Sequence, residues 1–163
     1  MWSAPLDLSL QSLNDLYQIK HVVYRYAFLQ DAGQPERFDE VFAPEMVFKS
    51  AAGEFTLEEW REKSRGWRDR LDATQHFKTN VSVTVDGDKA TARFYVLAQH
   101  AVNALAPEPF LMVGSNVQDD LRRIDGQWKI VARQATRIWI DGNPRVLGLD
   151  QPVAAHHRVP VLS

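Results

Sequence analysis

Long stretches in the second half of the chain alternate apolar and polar residues, and this pattern constrains the fold more than any other feature. Val81, Val83 and Val85 alternate with polar residues as far as the turn sequence Asp86-Gly87-Asp88. Residues 90–100 continue the alternation, with small and apolar residues at the even positions. Successive side chains of a strand point to opposite faces of a sheet, so the pattern predicts a hairpin with one buried face.

A longer hairpin is predicted from residues 110–124 and 127–140, which flank the turn Asp125-Gly126. Met46-Val47-Phe48 adds a short strand earlier in the chain. About three helices precede the long strands, and this order indicates an α+β domain whose helices cover a cone-shaped, curved antiparallel sheet. Such a cone is a natural site for a small ligand.

Capping sequences and a proline mark the starts of the helices. Ser12-Leu13-Asn14-Asp15 predicts a first helix over about residues 13–31, and Thr56-Leu57-Glu58-Glu59 predicts a third helix to about Leu71. Pro35 starts a short second helix, because proline suits the first helical position.

The first helix carries apolar residues three and four positions apart, which predicts one buried stripe. The stripe consists of Leu13, Leu16, Tyr17, Val23, Tyr24, Ala27 and Phe28. Its continuation reaches Asp31, so a carboxylate ends the apolar face. A buried carboxylate needs a partner, which makes Asp31 a candidate functional residue; a solvated helix end is the alternative.

Composition narrows the classes of function. The 163 residues fit one domain, which we expect to cover residues 1–143 and to be followed by an irregular tail over 144–163. The net charge of −2 does not favour binding to nucleic acid or to an anionic membrane. The chain has no cysteine, which excludes thiolate catalysis and thiolate metal sites. We therefore expect a cytoplasmic protein that uses no metal and no cofactor.

Several segments share their order and spacing with one known superfamily. They are Tyr24 to Asp31, followed by Phe38-Asp39 and Phe42-Ala43-Pro44-Glu45; Gln75-His76 with Asn80; Val85 to Ala90; and Asp120 to Ile130. Together they resemble the SnoaL-like branch of the nuclear transport factor 2-like superfamily, which includes scytalone dehydratase and hexachlorocyclohexane dehydrochlorinase. The resemblance covers about residues 12–143 and implies a cone-shaped fold with a small, largely apolar ligand.

The resemblance also implies a catalytic site. Asp31 and His76 match an Asp that orients a His as general base, and the carboxylate is expected to favour the protonated imidazole. His100 resembles a second pocket histidine of the dehydratase; a core histidine is the equal alternative. The dehydrochlorinase has a late-strand Arg, for which Arg133 and Arg137 are candidates, and a helix Lys without a match here.

Other residues are candidate contacts with a substrate or a partner. The predicted substrate contacts, for each of which core packing is the alternative, are Tyr24, Asn80, Phe94 and Trp128. Tyr95, Leu97 and Trp139 place apolar surface on the outer face of the sheet, so we expect a homodimer or homotrimer.

The register of the first hairpin predicts an irregularity near His76. Pairing Val83 with Ala92 buries a continuous apolar face and puts His100 inside, but simple alternation then puts His76 outside. Both histidines can line one pocket only if the strand accommodates an extra residue. We therefore predict a β-bulge or a break in pairing between His76 and Asn80.

These features support two hypotheses of different classes. The first is a cofactor-independent lyase or isomerase acting on a small cyclic substrate, most fittingly a dehydratase with an Asp–His base. The alternative is a non-catalytic ligand-binding or scaffold domain that resembles the small subunit of a ring-hydroxylating dioxygenase.

Overall fold

The computed structural model describes residues 9–149, which contain two α-helices and a six-stranded sheet. The elements in chain order are α1 (Leu10–Asp31), β1 (Phe42–Ser50), β2 (Gly53–Thr56), α2 (Leu57–Arg70), β3 (Ala73–Asp86), β4 (Lys89–Ala101), β5 (Phe110–Ile124) and β6 (Gln127–Gly142). Short 3-10 helices cover Pro35–Glu40, Asn103–Leu105 and Pro144–Leu147. None of the helices within residues 9–149 combines the length and hydropathy that crossing a membrane requires.

The strands form one sheet in the order β2-β1-β6-β5-β4-β3. All neighbouring pairs are antiparallel except β1 and β6, which run in the same direction. The sheet is therefore mixed, whereas the sequence predicted an antiparallel one. The α+β class and the three N-terminal helices are confirmed, and the second of these helices is the 3-10 helix that Pro35 begins.

Helix α1 begins one turn earlier than predicted. Ser9 is its N-terminal cap, and its side chain accepts a hydrogen bond from the backbone N–H of Ser12. The predicted capping box at Ser12 does not form, because Asp15 points into the protein and is only 4% exposed. The capping box of α2 is confirmed: Thr56 and Glu59 exchange hydrogen bonds between side chain and backbone.

The buried face of α1 differs from the predicted stripe. The apolar residues buried along this helix are Ile19, Val22, Val23, Tyr26, Ala27 and Leu29. Tyr17, Tyr24 and Phe28 of the predicted stripe are instead exposed. Two apolar rows with helical spacing run along this helix, so periodicity alone did not identify the row that packs on the sheet. Asp31 remains on the buried side because it follows Ala27 by one turn.

Strand β3 contains the predicted bulge. Its pairing with β4 shifts by one residue between Thr79 and Ser82, where Asn80 has a positive φ of 54°. The extra residue lies at the end of the predicted interval. Before the bulge His76 pairs with Ala98, and after it Val83 pairs with Ala92. The even-numbered residues of β3 thus face the helices before the bulge, and the odd-numbered residues face them after it.

The beginning of the expected tail is part of the domain. Residues 144–147 form a 3-10 helix rather than an irregular segment, and the side chain of Val146 is completely buried. Arg70 donates hydrogen bonds to the carbonyl oxygens of Arg145 and Val146 at 2.6 and 2.9 Å, which fastens this helix to the end of α2. Residues 150–163 of the tail, which include His156 and His157, lie outside the described residues.

Candidate active site

A cavity of about 310 Å³ lies between the concave face of the sheet and the two α-helices. We call it the pocket. Its wall is mostly apolar and includes Phe48, Trp60, Trp67, Leu71, Val96 and Val113. The ionisable side chains that line it include Asp31, His76, Lys78, His100 and Arg133, together with Arg68 and Asp72. A mostly apolar cavity with a few convergent polar groups is typical of a small-molecule site.

Asp31 binds His76 through both carboxylate oxygens. Oδ1 lies 2.6 Å from the imidazole Nδ1, and Oδ2 accepts the backbone N–H of His76 at 3.0 Å. Since β3 is the last strand of the sheet, this N–H points away from the neighbouring strand, and Asp31 supplies its partner. The carboxylate can only accept, so Nδ1 carries the proton and Nε2 of the neutral ring is free to take one.

The surroundings keep this imidazole neutral. Burial lowers the pKa of His76 below its usual value. The hydrogen bond that the ring donates to Asp31 opposes this effect, while the charges of Lys78 and Arg133 lower the pKa further. The side chain of His76 is 12% exposed and that of Asp31 is 23% exposed. The carboxylate does favour protonation of the ring, as expected, but burial outweighs it and the pKa of His76 falls. A neutral ring with a free Nε2 is the form that a general base needs.

His100 shares the pocket with His76. The two rings meet edge to face with centroids 5.5 Å apart, and Nδ1 of His100 lies 2.9 Å from the hydroxyl of Thr74. Burial, followed by the charge of His76, lowers the pKa of His100 from 6.5 to about 4. His100 is therefore neutral near pH 7, and it can offer a substrate a neutral hydrogen bond but not an imidazolium proton.

Arg133 lies in the pocket and Arg137 does not, which separates the two candidates. The Nε and Nη2 atoms of Arg133 donate hydrogen bonds to the two carboxylate oxygens of Asp119 at 2.6 and 2.5 Å. Both residues are almost completely buried, and the guanidinium lies 4.2 Å from the centroid of the Tyr26 ring. Burial lowers the pKa of Arg133, but Asp119 more than offsets this, so the side chain stays charged.

Sequence reasoning missed Lys78 and Asp119. Lys78 follows His76 by two residues and therefore faces the same side of β3 before the bulge. Asp119 occupies the inner face of β5 between Val117 and Leu121, both buried. In each case the position of an ionisable residue on the inward parity of a strand was the available clue.

Ser64 of α2 is a further polar group of the pocket. Its hydroxyl is buried and has no hydrogen-bond partner among residues 9–149. A buried hydroxyl without a partner is unfavourable, so this oxygen is positioned to bind a polar group of a ligand.

The four predicted substrate contacts do not line the pocket. Tyr24 is 39% exposed on the outer side of α1, and Asn80 is exposed in the bulge. Phe94 and Trp128 are each 2% exposed within the hydrophobic core. Trp128 donates its indole N–H to Asp15, far along α1 from Asp31. None of the four therefore faces the pocket: Phe94 and Trp128 fill the narrow part of the cone beyond the bulge, while Tyr24 and Asn80 lie on the outside.

No group of side chains that could hold a metal ion occurs among residues 9–149.

Comparison with known structures defines the class of fold. An NTF2-like protein with a cystatin-like fold from Novosphingobium aromaticivorans is 24% identical, with a TM-score of 0.68, and the match covers 86% of this chain and 92% of that one. A candidate scytalone dehydratase from the same organism is 19% identical with a TM-score of 0.74, over 93% of this chain and 97% of that one. A type 2 hexachlorocyclohexane dehydrochlorinase is 16% identical with a TM-score of 0.73, and the match covers 88% of this chain and 97% of that one.

The curved sheet and its helices thus have the same fold as that NTF2-like protein. Residues 11–134 match the model of the SnoaL-like domain, and the chain belongs to that family. No functionally curated protein matches the sequence.

Proposed function

We propose that this protein is a cofactor-independent lyase or isomerase, most fittingly a dehydratase, that acts on a small cyclic ketone with a hydroxyl group. One observation carries the proposal: Oδ1 of Asp31 lies 2.6 Å from Nδ1 of His76 beside a largely apolar cavity, and Nε2 forms no hydrogen bond with any of the described residues. A general base needs a fixed tautomer, a neutral ring and access to the substrate, and this arrangement provides all three.

The positions of these groups support the following reaction. Nε2 of His76 removes a proton from the carbon next to the carbonyl group, and the electron pair moves onto the carbonyl oxygen. Collapse of this enolate expels the hydroxyl group on the next carbon, which leaves as water with the proton that His76 returns. Arg133 contributes a fixed positive charge near the developing oxyanion, and such charges stabilise transition states most when water is excluded.

The family relationship supports the same class of chemistry. The dehydratase and the dehydrochlorinase with similar structures are named for eliminations, which begin with removal of a proton or a leaving group from adjacent carbons. Asp31 and His76 lie at positions where the resemblance placed a catalytic pair. The hydrogen bonds between them, and not the similarity of fold, are the reason for assigning that role.

A panel of hydroxylated cyclic ketones tests the proposal. Loss of water creates a conjugated enone, whose ultraviolet absorbance gives the rate. We expect turnover by the natural protein, a large loss in His76→Gln, and no loss in the control His21→Gln, because His21 is exposed on α1. Saturable binding of these ketones without turnover would instead support the non-catalytic alternative.

We also propose that the outer face of the sheet joins two or more copies of the chain. The register aligns Phe77, Leu97, Gly114 and Trp139 across four strands, and the Trp139 ring lies directly on Gly114. Phe77 and Trp139 are 47% and 42% exposed, so an apolar row faces outward. Light scattering should give a multiple of 18.6 kDa, and Trp139→Lys should lower it. A monomeric natural protein at micromolar concentration would contradict this.

A further inference from the structure

Lys78 is a buried amine without a counter-ion. Lys78 lines the pocket, and its Nζ lies 5.1 Å from the centroid of the Tyr26 ring and 5.5 Å from that of Phe94. Within residues 9–149 it makes no ion pair with a carboxylate. Lys49, by contrast, is paired with Glu54 at 3.1 Å on the surface. An aromatic enclosure without a salt bridge is an unusual place for a lysine whose role is only to carry charge.

The charges that face Lys78 come from three other elements. Arg133 on β6 places a second cation beside it, and Asp119 on β5 is already bound by that arginine. Asp31 at the end of α1 is bound to His76. Burial, followed by the charge of Arg133, lowers the pKa of Lys78 to about 7, and the two carboxylates oppose this only in part. A substantial fraction of the amine is therefore unprotonated at neutral pH, and only the unprotonated amine is a nucleophile.

We propose that Lys78 binds a carbonyl substrate covalently, as a Schiff base, in this pocket. The Nζ lone pair attacks the carbonyl carbon: a C–N bond forms, the C=O π bond breaks, and the oxygen takes up a proton. The resulting carbinolamine takes up one proton from solvent on its hydroxyl group, which then leaves as water, and the nitrogen lone pair forms the C=N bond of a protonated imine. The sum is amine plus carbonyl compound plus one proton giving protonated imine plus water, and no oxidant or reductant is needed.

The inference rests on the proposed function in one respect, namely that the pocket binds a carbonyl compound. A protonated imine withdraws electrons more strongly than a carbonyl group, so the adjacent C–H becomes more acidic. His76 lies two residues away on the same face of β3, at a spacing of roughly 7 Å between side chains. Covalent capture by Lys78 would therefore place the acidified carbon within reach of the base.

Reductive trapping tests the inference directly. The natural protein is incubated with benzaldehyde and sodium cyanoborohydride, which reduces an imine to a stable secondary amine, and is then digested for peptide mass mapping. We expect Lys78 to be modified first, with a labelling rate that reaches half its maximum near pH 7. The α-amino group, which titrates near pH ~8, is distinguished by its peptide.

Two variants provide the controls. Lys49→Arg should leave the labelling of Lys78 unchanged, and Lys78→Gln should remove the fast phase. The mapping in the natural protein does not depend on whether Lys78→Gln folds. Modification of surface lysines with Lys78 untouched would overturn the inference, and so would a labelling rate at Lys78 that still rises toward pH ~10, as for an ordinary lysine.

Trapping also separates this inference from the proposed function. Imine formation needs no proton removal by His76, so His76→Gln should still be trapped at Lys78 while it loses turnover of hydroxyketones. Turnover in a protein that is never trapped would leave His76 as the base and remove the covalent role of Lys78.

Discussion

The two ends of α1 carry a carboxylate each, and the residues around them make one structural and the other reactive. Asp15 accepts hydrogen bonds from Arg123 at 2.8 Å and from Trp128 at 3.2 Å. Asp31 accepts from the ring and the backbone of His76. Guanidinium and indole groups do not exchange protons near neutral pH, whereas imidazole does. The same residue type on the same helix therefore serves packing at one end and supports proton transfer at the other.

The space around each carboxylate differs as well. At the Asp15 end the cone is filled: Leu121, Trp128 and Ile130 are all at most 2% exposed. At the Asp31 end the sheet and α2 leave the pocket open. Hydrogen bonds at the filled end are satisfied within the protein, while Nε2 of His76 remains available to a ligand. The comparison teaches that a buried Asp indicates a catalytic site only together with a titratable partner and an adjoining cavity.

The largest expected effect is on turnover when Asp31 is changed. Asp31→Asn keeps the shape of the side chain but no longer fixes the tautomer of His76, so His76 is lost as a base. General-base catalysis contributes about 10²–10⁴-fold to a rate. We expect a loss of that order in turnover of the hydroxyketone identified by the panel. Asp15→Asn, measured in the same absorbance assay, should retain activity at a temperature where it is folded. Equal losses in the two variants would erase the distinction between the ends of α1.

The pH dependence of the free energy of unfolding should also differ between the two ends of α1. The pKa of His100 falls from 6.5 to about 4 in the folded protein, so the unfolded chain binds more protons between these values. The free energy of unfolding is therefore highest above pH 6.5. It decreases by about 3 kcal/mol as the pH falls toward 4, because the unfolded chain takes up the proton first. Burial tends to raise the pKa of Asp15, but its hydrogen-bond partners, above all Arg123, hold it below 3.8, so the filled end does not titrate in this window.

Urea unfolding at several pH values measures this dependence. In His100→Gln the loss of stability between pH 6.5 and 4 should be smaller, because glutamine takes up no proton. Identical pH slopes in the natural protein and in this variant would show that the pocket histidine does not control acid stability.

A smaller effect is expected on stability when Asp15 is removed. Asp15→Ala leaves the indole N–H of Trp128 without its partner and deprives Arg123 of one of its two carboxylates, although Asp88 remains bound at 3.0 Å. We expect the free energy of unfolding to fall by about 2 kcal/mol, measured by urea denaturation at neutral pH. The matched change Gln11→Ala removes only a side-chain donor to Asp15 and should cost less. A decrease in Asp15→Ala no larger than in Gln11→Ala would contradict the structural role.

The smallest effect is expected at Tyr24. Because this side chain is exposed and lies outside the pocket, Tyr24→Phe should change stability by no more than about 0.5 kcal/mol and leave turnover unaltered. Thermal unfolding and the enone assay provide the two measurements. A marked rise in KM would restore Tyr24 as a substrate contact and contradict the observed orientation of α1.

The fold was largely predictable because the alternation of apolar and polar residues and the turn sequences can be recognised within short stretches of the chain. The hairpins at Asp86 and Asp125 follow from period-two patterns, and the bulge follows from requiring both histidines to face one pocket. The buried row of α1 was not predictable, since Tyr24 and Phe28 have the same spacing as the row that packs. The inward positions of Lys78 and Asp119 could be inferred from strand parity, but the ion pair of Arg133 with Asp119 depends on a neighbour across the sheet, which no local pattern reports.

The bulge at Asn80 has a consequence for how such a strand can change in evolution. Before the bulge the even-numbered residues of β3 face the interior, and after it the odd-numbered residues do. Removing one residue at the bulge would therefore turn Thr74, His76 and Lys78 to the outer face, while Val83 and Val85 would stay on the inner face. No side chain of the pocket would have been replaced. A change of length by a single codon would thus move three side chains out of the pocket at once, which no single substitution can do.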